Sequence, residues 1–400
     1  AVSPAPLLDN PVTVAETYAL TGLRLGGAYD FGIVTTDKAG NTTALSADSV
    51  AVDVVLVATE ISALEADDLF GASVASADFN CDGIGDIAVG ARQGGGNNGR
   101  VYLYFGSPSG VPVIADAQIA GSLAGDQLGL SLAALGDFDG DGCDDLAVSG
   151  FDADLTGRVN VYLGRPFWFD RTETDVGTGA DLRIVGSGPG AVFGFGLVGV
   201  DDVDGDGLAD LAARAHAPAE EVEIIYGRDV TPMAAGGSPT ELSSPDDADI
   251  RFQQPDFDSF PAYKFGLAFS GRDFDGAGRS DVAVGARDSF GGVGGAFVLF
   301  GGERDDSPGA EIISATSATR ALQIDGGVDG VDFGFAIAAV GDLDGDGAAG
   351  SWLAVSDHRA DGVAGRAYLF NALAPGVLSA DAADVRITNA EPDVSSDTFG

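Results

Sequence analysis

The residues best suited to chemistry in this chain are aspartates, and their spacing is regular. In Asp78-Phe79-Asn80-Cys81-Asp82-Gly83-Ile84-Gly85-Asp86, oxygen-bearing side chains fall at positions one, three, five and nine, with glycine at six. Hard oxygen donors alternating around a glycine turn suit Ca2+, which accepts six to eight oxygens at irregular geometry. Asp78, Asn80, Asp82 and Asp86 would supply side-chain oxygens, and the Ile84 carbonyl would close the shell from position seven. The pattern returns with Asp137, Asp139, Asp141 and Asp145 around the Cys143 carbonyl, and again with Asp202, Asp204, Asp206 and Asp210 around the Leu208 carbonyl. Four carboxylates gathered without a cation would repel one another or take up protons, so a plain Asx-rich turn is the poorer reading.

Two further copies depart from the pattern. The fourth offers Asp273, Asp275 and Asp281 with the Arg279 carbonyl, but Ala277 stands at position five. The fifth offers Asp342, Asp344 and Asp346 with the Ala348 carbonyl, but Gly350 stands at position nine, so Ser351 or a water would have to substitute. Both are expected to be degenerate sites, and Asp141→Ala is expected to destabilise more than Asp273→Ala. EF-hand and dockerin loops share the opening but close with an acid at position twelve inside a helical pattern. Here position nine is acidic and a strand-like run follows at once, so that alternative is set aside.

The elements that must hold these loops repeat with them. First-position aspartates stand at 78, 137, 202, 273 and 342, a spacing of roughly 60–70 residues that marks a supersecondary unit repeated in space. Each unit reads as four short strands. An alternating piece (Ser73 to Ala77) precedes the loop, an apolar piece (Ile87 to Ala91) follows it, and a glycine-bounded run (Gly99 to Gly106) rich in β-branched and aromatic residues comes third. A short apolar piece near Ile119, Ile184, Ile250, Leu322 or Ile387 comes fourth. Four strands per unit with turns between them is the signature of a propeller blade. A Phe-Gly pair opens the third, fourth and fifth copies at Phe193, Phe265 and Phe333, as it does the first at Phe70. There the ring is expected to fill the wedge between blades and the glycine to let two backbones approach.

The Phe-Gly opening, the Asp-rich loop and the Val-Gly-Ala that follows resemble the FG-GAP repeat, which builds the β-propeller of integrin alpha subunits and many bacterial surface proteins. The resemblance covers about residues 59 to 400. It implies an all-β fold of four-stranded blades, five complete and a sixth begun at Phe399-Gly400. It also implies calcium in the loops, with the ligand assignments given above. Residues 1–58 lie outside the repeat. Tyr29, Phe31 and Ile33 alternate, Asp37 to Asn41 make a turn, and Val50, Val52 and Val54 alternate again. With Leu20 to Leu23 upstream, they resemble the last strands of a fibronectin type III domain, a partial β-sandwich before the propeller, with a generic hairpin as the alternative.

Composition narrows the function. A net charge of −42 would leave the chain strongly acidic even with five calcium ions bound, and such a surface repels nucleic acid and anionic lipid. No apolar run approaches the ~18 residues of a membrane-spanning helix. Only two histidines occur, His216 and His358, and no nucleophile elbow, zinc-helix motif or P-loop is present, so no enzyme is expected. Cys81 and Cys143 sit at different loop offsets, positions four and seven, and are expected to be free thiols; pairing would imply an oxidising compartment. The chain begins without Met and halts as a sixth copy opens, so it reads as part of a longer protein. Long connections (164 to 180, 228 to 249, 302 to 310) are where a partner would be met, with Phe167, Trp168 and Phe169 in one and Tyr263 and Lys264 near another. The resulting expectation is a calcium-stabilised extracellular or cell-surface propeller that binds a protein or glycan ligand. A non-catalytic accessory region of a large secreted enzyme, or a surface-layer element, are the alternatives.

Overall fold

A computed structural model describes residues 33–36, 42–45, 68–108, 110–121, 125–151, 154–166, 179–216, 220–230, 238–244, 246–253, 265–287, 289–304, 309–327, 332–345, 350–357 and 365–388. The chain divides into two compact units, Ala1–Glu60 and Ile61–Gly400. In the first, β1 (Ile33–Thr36) and β2 (Thr42–Leu45) pair antiparallel, Ile33 opposite Leu45. Tyr29, Phe31, the 37–41 turn and Val50 to Val54 lie outside the described residues, and the β1–β2 pair fits the fibronectin-like expectation and the generic hairpin equally.

The second unit is a series of sheets in which the strands of each blade pair antiparallel. Blade one comprises β3 (Phe70–Ala77), β4 (Asp86–Ala91), β5 (Arg100–Tyr104) and β6 (Ala117–Ala120). Blade two comprises β7 (Leu132–Gly136), β8 (Asp145–Gly150), β9 (Arg158–Tyr162) and β10 (Leu182–Val185). Blade three is built from β11 (Leu197–Val200), β12 (Asp210–Ala215) and β13 (Glu221–Ile225), and after β14 (Thr240–Ser243) from β15 (Ile250–Gln253). Blade four follows with β16 (Phe265–Arg272), β17 (Asp281–Ala286) and β18 (Gly295–Leu299), then β19 (Glu311–Ser314) and β20 (Ala321–Asp325). Blade five has β21 (Phe333–Gly341), β22 (Trp352–Asp357) and β23 (Arg366–Phe370), then β24 (Gly376–Ser379) and β25 (Val385–Thr388). First strands of consecutive blades pack in order, β3 on β7, β7 on β11, β11 on β16 and β16 on β21. This is the all-β propeller architecture that the four-strand repeat implies. Phe399-Gly400 lies outside the described residues.

One feature departs from the four-strand expectation. Strands β14, β19 and β24 do not join their own blades. Each leaves the connection between its blade's third and fourth strands and pairs in parallel with the outermost strand of the preceding blade: β14 on β10, β19 on β15, β24 on β20. Blades two, three and four are therefore five-stranded.

Most of the core lies between blades, and a smaller cluster of Val89, Ala91, Tyr102 and Tyr104 lies on blade one. One cluster joins Val101 and Leu103 of blade one to Leu146 and Val148 of blade two. Equivalent clusters join blades two and three, three and four, and four and five. The Phe-Gly reading holds at these junctions. Phe193, Phe265 and Phe333 are buried. Gly334, at φ +85°, would place a Cβ 2.0 Å from the Gly295 carbonyl oxygen of blade four. Only glycine meets both the left-handed backbone and this close approach.

Candidate functional site

Each acidic loop joins the first and second strands of its blade, and its turn is formed by the loop's own side chains. The first aspartate caps the turn with both oxygens. Asp137 accepts from Gly140 N (2.7 Å) and Gly142 N (3.1 Å), and Asp202 accepts from Gly205 N (2.5 Å) and Gly207 N (2.9 Å). Asp273 accepts likewise from Gly276 and Gly278, and Asp78 from Asp82 and Gly83. Positions three and five accept from N–H groups two residues on, as Asp139 does from Asp141 and Asp206 from Leu208. These are Asx turns, which short carboxylate side chains form with their own backbone.

The closing acid is set differently. It starts the second strand and is fully or almost fully buried at Asp86, Asp145, Asp210 and Asp281. One oxygen accepts from the N–H of a glycine just beyond the third strand: Gly106, Gly164, Gly227 and Gly301 in turn. In the second to fourth loops the other accepts from the residue at position two, Phe138, Val203 or Phe274; in the first, Asn80 donates instead. Burial raises Asp145 and Asp210 to about 8, Asp281 to about 7 and Asp86 to about 6, despite these donors, and neighbouring aspartates push the same way. A nearby cation would favour the ionised form of such a carboxylate.

Three groups of acids converge, each with oxygens within 4.8 Å of one another: Asp137, Asp139 and Asp145; Asp202, Asp204 and Asp206; Asp273, Asp275 and Asp281. The donors are hard oxygens in a tight turn, and one partner is buried, which fits a divalent oxygen-seeking ion. The fourth loop converges as the second does, although Ala277 replaces an acid. Its Arg279 side chain lies against Gly205 of the third loop and reaches Glu303 at 3.8 Å. In the first loop position three is Asn80, whose Oδ1 accepts from Asp82 N at 2.9 Å.

The fifth loop corrects the reading by spacing. Asp342 caps Gly345 at 2.7 Å, while Asp346 and Ala348 lie outside the described residues. Ser351 N donates to Asp273 O (2.7 Å), as Ala209 N does to Asp137 O and Ser280 N to Asp202 O. Ser351 therefore stands at position eight. Trp352 then pairs with Gly341 where the other loops place their closing aspartate, as Asp145 pairs with Gly136. Two extra residues displace Gly350 from position nine, and an indole replaces the carboxylate. Ala372 follows the third strand where the other blades carry glycine, and Asn371 before it stands where they carry Phe105, Leu163, Tyr226 or Phe300, its Nδ2 reaching Asp344 Oδ2 at 3.4 Å.

These position-eight hydrogen bonds stitch each loop to the next blade. A second stitch runs from the third-strand exit to position two: Arg165 N to Phe79 O, Arg228 N to Phe138 O, Gly302 N to Val203 O. The position-two side chains Phe79, Phe138, Val203 and Phe274 are wholly buried. Their apolar recurrence was available in the sequence but escapes notice beside the aspartates. The cysteines form a third stitch. Cys81 and Cys143 are disulfide-bonded, Cα atoms 5.3 Å apart, which overturns the free-thiol expectation. The differing offsets are what the geometry requires, because neighbouring loops are staggered: Asp78 N meets the position-eight Asp144 carboxylate at 2.9 Å, so position four faces position seven.

Of the two histidines, His216 pairs with Glu220 at 2.9 Å beside the buried Arg214, and Arg214 Nε donates to Phe265 O at 2.7 Å. This group ties blade three to the Phe-Gly of blade four. His358, Phe167 to Phe169, Tyr263 and Lys264 lie outside the described residues. Among the described residues no helix is long and apolar enough to cross a membrane.

The FG-GAP repeat family matches residues 70–104. The chain is 36% identical over 153 residues to integrin alpha-4 of Xenopus laevis, covering 36% of this chain and 14% of that protein. It is 32% identical over 250 residues to integrin alpha-PS2 of Drosophila melanogaster, covering 59% of this chain and 16% of the other. Human integrin alpha-IIb is 33% identical over 175 residues, covering 40% and 16%. The matched stretch thus spans 14–16% of these relatives' own length.

Proposed function

We propose that residues 59–400 form a calcium-binding FG-GAP propeller that serves as an extracellular adhesion or ligand-binding module, with a protein or glycan as its partner. Residues 1–58 would be the closing part of a fibronectin type III-like spacer. The observation that carries the reading is the convergence of three aspartates, one of them buried, in each of the second, third and fourth loops, in a chain similar to integrin alpha subunits. Asp137, Asp139, Asp141 and Asp145 would hold one ion, Asp202, Asp204, Asp206 and Asp210 a second, and Asp78, Asn80, Asp82 and Asp86 a third. The carbonyls of Ile84, Cys143 and Leu208 would complete these shells. Asp273, Asp275 and Asp281 would hold a fourth with the Arg279 carbonyl. The fifth loop, with Trp352 in place of its closing acid, would be the weakest. Bound calcium would neutralise the clustered carboxylates and so lock adjoining blades into a rigid platform.

The Cys81–Cys143 bond supports an oxidising, extracytoplasmic setting. His216 and Arg214 have structural partners: His216 pairs with Glu220, and Arg214 Nε donates to Phe265 O. Calorimetric titration of calcium into the chelator-treated protein tests the metal reading, and no uptake at millimolar calcium would refute it. A glycan array run beside a pull-down from extracellular protein, each with calcium and with EDTA, tests the partner class. Capture that ignores calcium on both would count against the platform.

A further inference from the structure

Arg304 sets the third loop apart from its neighbours. It lies three residues beyond Gly301, in the connection leaving β18. Its Nη1 is 3.5 Å from Asp204 Oδ2 and 3.7 Å from Asp206 Oδ2, and its Nη2 is 3.8 Å from Asp249 Oδ1. Its guanidinium lies over the Tyr226 ring, 5.3 Å from the centroid. Asp204 and Asp206 are two of the three acids that converge in this loop, and the Asp204 side chain is wholly buried. One blade earlier, the residue three beyond the matching Gly227 is Val230, buried in the same core cluster as Leu163. The same place in the fold thus delivers a cation to the third loop and an isopropyl group to the second.

We propose that Arg304 is a tethered competitor of the third loop's ion: it weakens calcium binding there and holds the carboxylates together when no ion is bound. The inference rests on reading the acidic loops as calcium sites. An entering divalent ion must draw on the two carboxylates that Arg304 already faces. The guanidinium is anchored separately by Tyr226 and Asp249, so its charge stays near when the ion arrives. Its side chain is 40% exposed, so solvent screens the repulsion, and the effect on Kd is about three- to tenfold rather than many orders. The third loop would then be the first to empty as calcium falls, while its blade junction stays closed.

Calorimetric calcium titration of the whole chain tests this with Arg304→Gln, and with Arg304→Val, which copies the neighbouring blade. Arg304→Lys keeps the charge, and Asp202→Asn marks the binding step that belongs to the third loop. The Asp202-dependent step is expected to tighten about three- to tenfold in the Gln and Val variants and less in the Lys variant. The other steps should not move, and melting in EDTA should come at lower temperature once the charge is gone. An unchanged Asp202-dependent step, or equal tightening with lysine, overturns the proposal. Should the wild type bind calcium elsewhere but not at the third loop, a step gained in Arg304→Gln supports it and no gain overturns it. Should no loop bind calcium, the metal reading falls first and this inference with it.

Discussion

Asp145 and Asp210 illustrate what a protein does with a carboxylate it has withdrawn from water. Both are fully buried, and burial carries them to about 8 in the absence of an ion. A carboxyl raised in the folded state binds more protons there than in the unfolded chain between its unfolded value near 4 and about 8. Its contribution to stability is therefore complete below pH 4 and is lost as pH rises through 8. The calcium-free protein is expected to melt at progressively lower temperature from pH 5 to pH 9, and saturating calcium to flatten that slope, as scanning calorimetry at each pH would reveal. Asp145→Asn should remove part of the slope. A second expectation reverses the order read from spacing. The Asp273 carboxylate caps two N–H groups, whereas the one hydrogen bond described for the Asp141 carboxylate is from Cys143 N. At about 1.5–3 kcal/mol per hydrogen bond to a charged group, Asp273→Ala should lower the denaturation midpoint more than Asp141→Ala.

At the level of elements, the Phe-Gly turn separates two physical effects. Gly334 combines φ +85° with a backbone oxygen 2.0 Å from any added Cβ, whereas Gly71, at φ +86°, has nothing within 4 Å. Gly71→Ala should cost about 1–2 kcal/mol from left-handed strain alone. Gly334→Ala should cost clearly more, because the junction with blade four must open, and urea denaturation of both variants would measure the difference. The same scale shows why some features could be read from the chain and others not. The aspartate loops and the four-strand beat are local patterns, so Asp137 to Asp145 and the run from Arg100 to Tyr104 announce themselves. Strands β14, β19 and β24 have four residues each and no clean alternation. Their pairing is supplied by another blade, so they read as loop. Trp352 was hidden because counting from Asp342 cannot register two inserted residues, which only the ladder with β21 exposes. The disulfide was hidden because a stagger between neighbouring loops has no trace in either loop's own spacing.

For the molecule as a whole, the proposed ions and the disulfide act on the same seams. Ligands that bind only the folded state stabilise it by mass action, so EDTA should lower the melting temperature by many degrees. A shift of under two degrees would show the loops to be self-sufficient. The Cys81–Cys143 bond spans 62 residues, and a cross-link of that reach is worth about 2–4 kcal/mol through the unfolded state. Cys81→Ser should reduce stability by that amount in non-reducing denaturant titrations and by nothing when reductant is present for both proteins. The edge of blade two at β10 is completed by Thr240–Ser243, that of blade three by Glu311–Ser314, and that of blade four by Gly376–Ser379. Each of these three sheets is finished by polypeptide that the ribosome makes later. During synthesis the growing end always carries one raw hydrogen-bonding margin, and the debt is passed forward from blade to blade like an open stitch in knitting.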